Sequence, residues 1–191
     1  MSRSTLDVPF DTTDFALRPD ETVEDSYRHL SRRRRLLLGA GLTVVFEDRH
    51  TLWFRIQELI RYAQYAPGDP IQKQFDWYQQ LIPGNGRLLA AVWISSRAPN
   101  ADELSDAIAG GRIVLRSDAG HEIEGLYLNQ SVSDRTMGRM LWAEFVFDEH
   151  ERMALHEPYI GWELGIEAED EREWSCRLPE SMIDSLSSDV E

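Results

Sequence analysis

Residues 88–96 have the sequence LLAAVWISS, and at this stretch the helical spacing of apolar residues seen earlier in the chain ends. Five further runs of the same character follow it, each rich in β-branched or aromatic residues and each bounded by turn residues. They are GRIVLRS (111–117), HEIEGLYL (121–128), MLWAEFVF (140–147), IGWELGIEA (160–168) and REWSCRL (172–178). Short runs of this composition between turn signals are typical of strands. The second half of the sequence therefore predicts about six strands, mostly antiparallel.

The first half of the chain has helical patterns instead. Apolar residues recur at helical spacing over residues 20–34, 49–64 and 71–82, and Asp48 is placed to cap the second of these helices. Between the first two, LLLGAGLTVVF (36–46) predicts strands separated by a turn or bulge. Helices at the front followed by strands favour an α+β fold. We expect N-terminal helices packed on a mostly antiparallel sheet of about six strands.

The length of 191 residues and the hydrophobic content of 42% are sufficient for one hydrophobic core. Residues 1–19 are polar and predict a flexible N-terminal arm, residues 20–178 a single domain, and residues 179–191 a C-terminal helix or tail. No apolar stretch is long enough to span a bilayer, and the N-terminus lacks the apolar centre of a signal peptide. The sequence therefore predicts a cytoplasmic protein that does not contact membranes.

The acidic residues are unevenly distributed. The net charge is -14; residues 1–95 carry 12 basic and 12 acidic side chains, whereas residues 96–191 carry 8 and 22. Such a field repels phosphate backbones and attracts basic partners, so no nucleic-acid binding is expected and a protein partner is favoured. The arginine run at residues 32–35 is interpreted as complementing the negative end of the first helix.

Motifs that would identify a catalytic, cofactor or metal site are missing from the sequence. It has no Gly-x-Ser-x-Gly elbow and no phosphate-binding Gly-Lys-Ser/Thr loop, and its single cysteine, Cys176, is interpreted as a structural residue. Glu47 and His50 have the Glu-x-x-His spacing of diiron sites, but Glu47 is expected before the helix begins, and a bundle-type site needs two such motifs. We predict no metal and no cofactor. The patterns leave catalysis open and favour a non-catalytic role.

One region of the chain resembles a known family. RRRRLLLGAGLTVVFEDRHTLWFRIQELIR (32–61) and LIPGNGRLLAAVWI (81–94) are similar to an uncharacterised bacterial domain-of-unknown-function family, family 3501. The positions that fit its pattern are Gly39, Leu42, Thr43, Phe46, Glu47, Arg49, Thr51, Ile56, Gln57, Glu58, Leu81, Pro83 and Gly84. Asp48 replaces the family's Asn, Arg55 its first Gln, and Leu59 its Met.

The resemblance implies a role close to redox enzymes, because members of that family are often encoded beside rubrerythrin-like proteins and iron–sulfur oxidoreductases. We therefore expect an accessory or adaptor protein that docks on such an enzyme. The alternative is an oxidoreductase subunit with a small anion-binding pocket near Glu47, Arg49, Glu58 and Arg61.

The candidate binding residues lie around the predicted turn from strand to helix and along the helix that follows. They are Glu47, Arg49, Phe54, Gln57, Glu58 and Arg61. Two interpretations remain open for the polar members: a buried, hydrogen-bonded brace that holds the corner together, or a site for a ligand or partner. Phe54 and Arg61 fall on the side of the helix away from the apolar stripe, where they are candidates for a protein contact.

Overall fold

The computed structural model describes residues 32–39, 41–55, 77–78, 80–128, 132–134 and 138–191. The elements in these ranges are β1 (Arg35–Gly39), β2 (Leu42–Glu47), β3 (Arg87–Ile94), α1 (Ala101–Ala109), β4 (Arg112–Ser117), β5 (Glu122–Tyr127), β6 (Val132–Asp134), β7 (Gly138–Val146), α2 (Glu149–His156), β8 (Trp162–Glu167), β9 (Glu173–Arg177) and α3 (Glu180–Ser187). Residues 49–55 and 77–78 are also helical.

All nine strands of the described residues belong to one antiparallel sheet. Its order is β1-β2-β3-β7-β5-β4-β8-β9, and β6 pairs with β7 beside this path. The first and last strands of the path, β1 and β9, also contact each other. The sheet therefore curls into a nearly closed, barrel-like layer with an inner and an outer face.

The predicted architecture of N-terminal helices packed on a sheet of about six strands is wrong. The six strands predicted after residue 86 are present as β3, β4, β5, β7, β8 and β9. However, β1 and β2 extend the same sheet, because β2 pairs with β3 along its whole length, from Leu42↔Ile94 to Glu47↔Leu89. A period-two pattern predicts a strand but not its pairing partner, which here lies across residues 48–86. The predicted arm, and the predicted first helix up to residue 31, lie outside the described residues.

The inner face of the sheet encloses the main hydrophobic core. Phe46 of β2 and Phe145 of β7 meet there with ring centroids 6.3 Å apart. The Phe145 ring also lies against Gly125 of β5, where a Cβ atom would come within 2.8 Å of a ring carbon, so this strand position needs a glycine. The three labelled helices add apolar side chains to the same core: Leu104, Ile108, Leu155, Met182 and Leu186.

A second, smaller hydrophobic cluster lies on the outer face of β2, β3 and β7. We call it the outer cluster; its buried members are Leu52, Leu81, Leu89, Ala91, Met140 and Trp142, and Trp77, Tyr78, Ile82, Trp93 and Leu128 pack against them. Leu52 comes from the helical residues 49–55, which follow β2 directly. The cluster therefore lies beside the corner from strand to helix that contains the predicted site. Each helix among the described residues is too short or too polar to span a bilayer.

Candidate binding site

The corner between β2 and the following helix is held by a reciprocal cap. The backbone N–H of Thr51 donates to Asp48 Oδ1 at 2.7 Å, and the backbone N–H of Asp48 donates to Thr51 Oγ1 at 2.8 Å. This arrangement satisfies two N–H groups that a helix start would otherwise leave without partners. It confirms the prediction that Asp48 caps the helix, and it fixes the direction in which the helix leaves the sheet.

A buried arginine connects this corner to the C-terminal part of the chain. Arg34 Nη1 is 2.5 Å from Asp189 Oδ2, its Nη2 is 3.0 Å from Asp189 Oδ1, and its Nε is 3.4 Å from Asp48 Oδ2. The Nη2 atom also donates to Ser185 Oγ at 2.8 Å. Although burial opposes the charge of Arg34, the hydrogen bond and charge of Asp189, with smaller contributions from Asp48 and Glu47, raise the pKa of Arg34. Burial raises the pKa of Asp189, and the hydrogen bond from Arg34 only partly offsets this.

Glu47, the last residue of β2, forms an ion pair in the outer cluster. Its side chain is fully buried, and its partner is Arg55, whose side chain is only 10% exposed. Arg55 Nε donates to Glu47 Oε1 at 2.8 Å, and Arg55 Nη2 donates to the same oxygen. The pair joins the end of β2 to the helix two turns after the corner.

Aromatic rings surround the guanidinium of this pair. The Arg55 Cζ atom lies 4.7 Å from the centre of the Trp93 ring and 5.5 Å from that of Trp142. Tyr78 packs edge-on against Trp142, with ring centroids 5.8 Å apart. A guanidinium over an aromatic face is attracted by the ring quadrupole, more strongly where water is excluded. The rings therefore stabilise the charge that Glu47 also neutralises.

Several buried polar atoms of this region have no hydrogen-bond partner in the described structure, among them Glu47 Oε2, Trp93 Nε1 and Trp77 Nε1. Buried polar atoms are paired in the great majority of cases. The indole N–H of Trp162 in the main core also lacks a hydrogen-bond partner, so the carboxylate oxygen of Glu47 is the distinctive atom of this set. Trp77, Tyr78 and Trp93 are half-buried, so the cluster extends from the buried carboxylate to the protein surface.

Comparison of the sequence with known protein families identifies the family of this chain. The model for the family described as "Protein of unknown function (DUF3501)" matches residues 18–190. The chain belongs to this family.

A crystal structure described as a novel protein of unknown function, from Burkholderia pseudomallei K96243, is similar to this family member. The TM-score is 0.70 at 19% sequence identity, covering 89% of this chain and 90% of the other. At this identity the likeness shows a common fold. No curated protein matches the sequence.

The predicted site residues of this DUF3501 member fall in different surroundings. Glu47 is buried in the ion pair, Arg49 is exposed, and Phe54 is half-buried. Gln57, Glu58 and Arg61 lie outside the described residues. The brace interpretation applies to Glu47, but its observed partner is Arg55, a position at which the sequence departs from the family pattern.

The Glu47-x-x-His50 spacing does not place both side chains on one face of a helix. Glu47 ends β2 and is buried, whereas His50 is exposed on the first turn of the helix. Within the described ranges, no three His, Cys, Asp or Glu side chains come together in an arrangement that could hold a metal ion. Cys176 is half-buried on β9.

A second candidate surface lies on the outer face of β4, β5, β8 and β9 and includes the start of β3 and the end of β7. It carries two exposed apolar side chains on neighbouring strands, Leu126 (68% exposed) and Val146 (56% exposed). Leu126 is directly opposite Glu144, and Val146 is directly opposite Arg87. We call this surface the acidic face; its charged residues are Arg87, Arg112, Arg116, Glu122, Glu124, Glu144, Glu163, Glu167, Glu173 and Arg177.

Ion pairs hold part of the acidic face in place. Arg112 Nη2 is 3.0 Å from Glu122 Oε1 and 2.9 Å from Glu124 Oε2, and Arg116 Nε is 3.0 Å from Glu122 Oε2. Hydrogen bonds from Arg116 and then Arg112 lower the pKa of Glu122. Glu122 therefore keeps its negative charge to a lower pH than an isolated glutamate would. Beside the exposed apolar pair, Arg87 Nη1 is 2.9 Å from Glu144 Oε2, so carboxylates there are ion-paired, and glutamates outnumber arginines among the charged residues named for the face.

Proposed function

We propose that this protein is an accessory or adaptor protein of a redox system, which docks through its acidic face on a partner such as a rubrerythrin-like protein or an iron–sulfur oxidoreductase. The observation that carries the proposal is the exposed apolar pair Leu126 and Val146, bordered by the ion pair of Glu144 and Arg87. The choice of partner rests on the family resemblance and its gene neighbourhood.

The positions of these two residues favour a contact surface. They lie two register positions apart on adjacent strands, so their side chains are diagonal neighbours on the same face. Apolar side chains that lie together and are rimmed by polar groups are typical of interaction surfaces, whereas singly scattered ones are ordinary. The surrounding glutamates favour a partner surface with basic residues around an apolar centre, because complementary charge speeds and orients docking.

The alternative, an oxidoreductase subunit with an anion-binding pocket near Glu47, Arg49, Glu58 and Arg61, has less support among the described residues. The buried carboxylate of Glu47 is paired with Arg55, whereas Arg49 is exposed. An anion would also meet the carboxylates of Glu47 and Glu58 in that pocket. The two arginines of the prediction would have to outweigh both.

The docking proposal is tested by Leu126→Ser. The variant is expected to bind a purified rubrerythrin-like protein or iron–sulfur oxidoreductase from the same bacterium about tenfold more weakly, since truncating a central interface side chain costs about 1–2 kcal/mol. Isothermal titration calorimetry at two salt concentrations measures this, and affinity is expected to fall as salt rises.

Leu37→Ser is the matched control for this experiment. Leu37 is 71% exposed on β1, the first strand of the order, whereas Leu126 and Val146 lie on its two middle strands, so the replacement changes a similar apolar surface outside the acidic face. The control is expected to bind as the unchanged protein does. Equal weakening by both variants, or no binding of either enzyme by the unchanged protein, would contradict the proposal.

A further inference from the structure

The geometry of the Glu47–Arg55 pair leaves one acceptor unused. An arginine fork commonly gives one N–H to each oxygen of a carboxylate, in two parallel hydrogen bonds. Here both Nε and Nη2 of Arg55 donate to Oε1 of Glu47. The other oxygen, Oε2, is buried and has no partner among the described residues. This buried carboxylate oxygen therefore keeps an unused acceptor.

The neighbouring rings supply complementary chemistry. The Trp93 ring lies against the guanidinium that Glu47 holds, and its Nε1–H has no acceptor within the described part of the chain. A molecule next to the ion pair would therefore meet one free acceptor, at least one free donor and aromatic faces for stacking. Glu47 and Arg55 compensate each other's charge, so this pair offers no unmatched charge to a charged ligand.

From this arrangement we propose that the outer cluster binds a neutral, planar nitrogen heterocycle. Such a molecule donates an N–H to Glu47 Oε2, accepts a hydrogen bond from the Trp93 indole and stacks on the cluster's rings. The half-buried positions of Trp77, Tyr78 and Trp93 give the site an edge at the surface. The site uses Glu47, Arg55 and Trp93, none of which belongs to the acidic face, so either proposal can fail while the other holds.

An ordered water is the competing occupant. A buried water needs two to four polar partners, and Glu47 Oε2 with an indole N–H would provide two of them. A water, however, gains nothing from the aromatic faces, and its binding does not respond to an added heterocycle. The two occupants therefore differ in a titration.

The test uses neutral imidazole as the probe, at about pH 8.5, where most of it is uncharged. Indole N–H resonances are followed by nitrogen–proton correlation NMR. We expect a saturable shift of the Trp93 indole resonance, assigned with Trp93→Phe. Glu47→Gln should weaken binding at least tenfold, because the amide in place of the carboxylate removes the charged acceptor. Trp93→Phe, which keeps a ring but removes the N–H, should weaken it severalfold and serves if Glu47→Gln fails to fold.

Trp174→Phe provides the control, because Trp174 is half-buried on β9 and packs against the inner core instead of the outer cluster. It is expected to leave imidazole binding unchanged. The proposal is overturned if imidazole causes no saturable shift, if Trp93→Phe binds it as tightly as the unchanged protein, or if a crystal soaked in imidazole shows only a water at Glu47 Oε2.

Discussion

Arg34→Met is expected to lower the free energy of unfolding by about 3–5 kcal/mol, the usual cost of removing one partner from a buried ion pair. The methionine keeps much of the volume of the arginine stem but leaves Asp189 without the guanidinium that now contacts both its oxygens. It also removes the charge partner of Asp48 at the corner from strand to helix. Denaturant unfolding measures the loss. For a chain of this size the melting temperature should fall by roughly 6–20 °C.

The deficit of Arg34→Met should depend on pH with a definite sign. Burial already raises the pKa of Asp189, and loss of Arg34 raises it further. A raised folded-state pKa means that the stability from this group is present below its unfolded pKa, about 3.9, and is lost as pH rises through the folded value. The variant should therefore lie closer to the unchanged protein near pH 4 than at pH 7.

Arg33→Met is the control for both measurements. Arg33 precedes Arg34 directly but is exposed, so its replacement should change stability by less than about 0.5 kcal/mol. If the two variants are equally stable, or if the deficit of Arg34→Met is the same at both pH values, Arg34 does not hold the C-terminal segment in the way described.

Strand positions could be predicted because each run carries its own signal. In β8 alternating apolar residues indicate which side chains face the core, whereas the continuous apolar run of β3 indicates burial on both faces, and turn residues mark where each strand stops. Closure of the sheet could not be predicted in the same way. It depends on β1 meeting β9, more than 130 residues later in the chain, and no local pattern specifies such a contact.

The role of Arg34 was missed for a similar reason. The run at residues 32–35 was interpreted as complementing a helix end, an interpretation that treats the four arginines alike. The structure distinguishes them, because Arg34 is buried with Asp189 while Arg32, Arg33 and Arg35 are exposed. Which arginine is buried depends on a carboxylate 155 positions away.

The candidate site was predicted in part. Glu47 was correctly placed at a strand end before a helix, and the cap by Asp48 followed from local spacing. The partner of Glu47 was not predicted, because in the sequence Arg55 stands out only as a departure from the family's Gln. The two-residue period of a strand predicts that Trp93 and Ala91 share a face, but not that the Trp93 ring would lie over Arg55. Long side chains from two elements meet there, and only tertiary packing brings them together.

Glu47→Ala is expected to lower the free energy of unfolding by about 3 kcal/mol or more, because it leaves the guanidinium of Arg55 in the outer cluster without its carboxylate. The expected change in melting temperature is a fall of roughly 6–12 °C. Arg49→Ala is the comparison, since Arg49 is two positions away and exposed, and a much smaller loss is expected there. Similar losses for both would mean that the corner as a whole, and not the ion pair, carries the effect.

A double variant, Glu47→Leu with Arg55→Met, separates stability from binding. Replacing both partners of a buried ion pair by apolar residues of similar volume is often neutral or stabilising, so the double variant should regain most of the stability lost by Glu47→Ala. It has no carboxylate oxygen left to accept an N–H, so imidazole binding should stay lost even though the fold is restored. Thermal unfolding and the NMR titration on the same sample measure the two properties. Restored stability with unchanged imidazole binding would show that Glu47 does not take part in the site. A double variant as unstable as Glu47→Ala would show instead that the ion pair contributes more than charge compensation to the packing of the outer cluster.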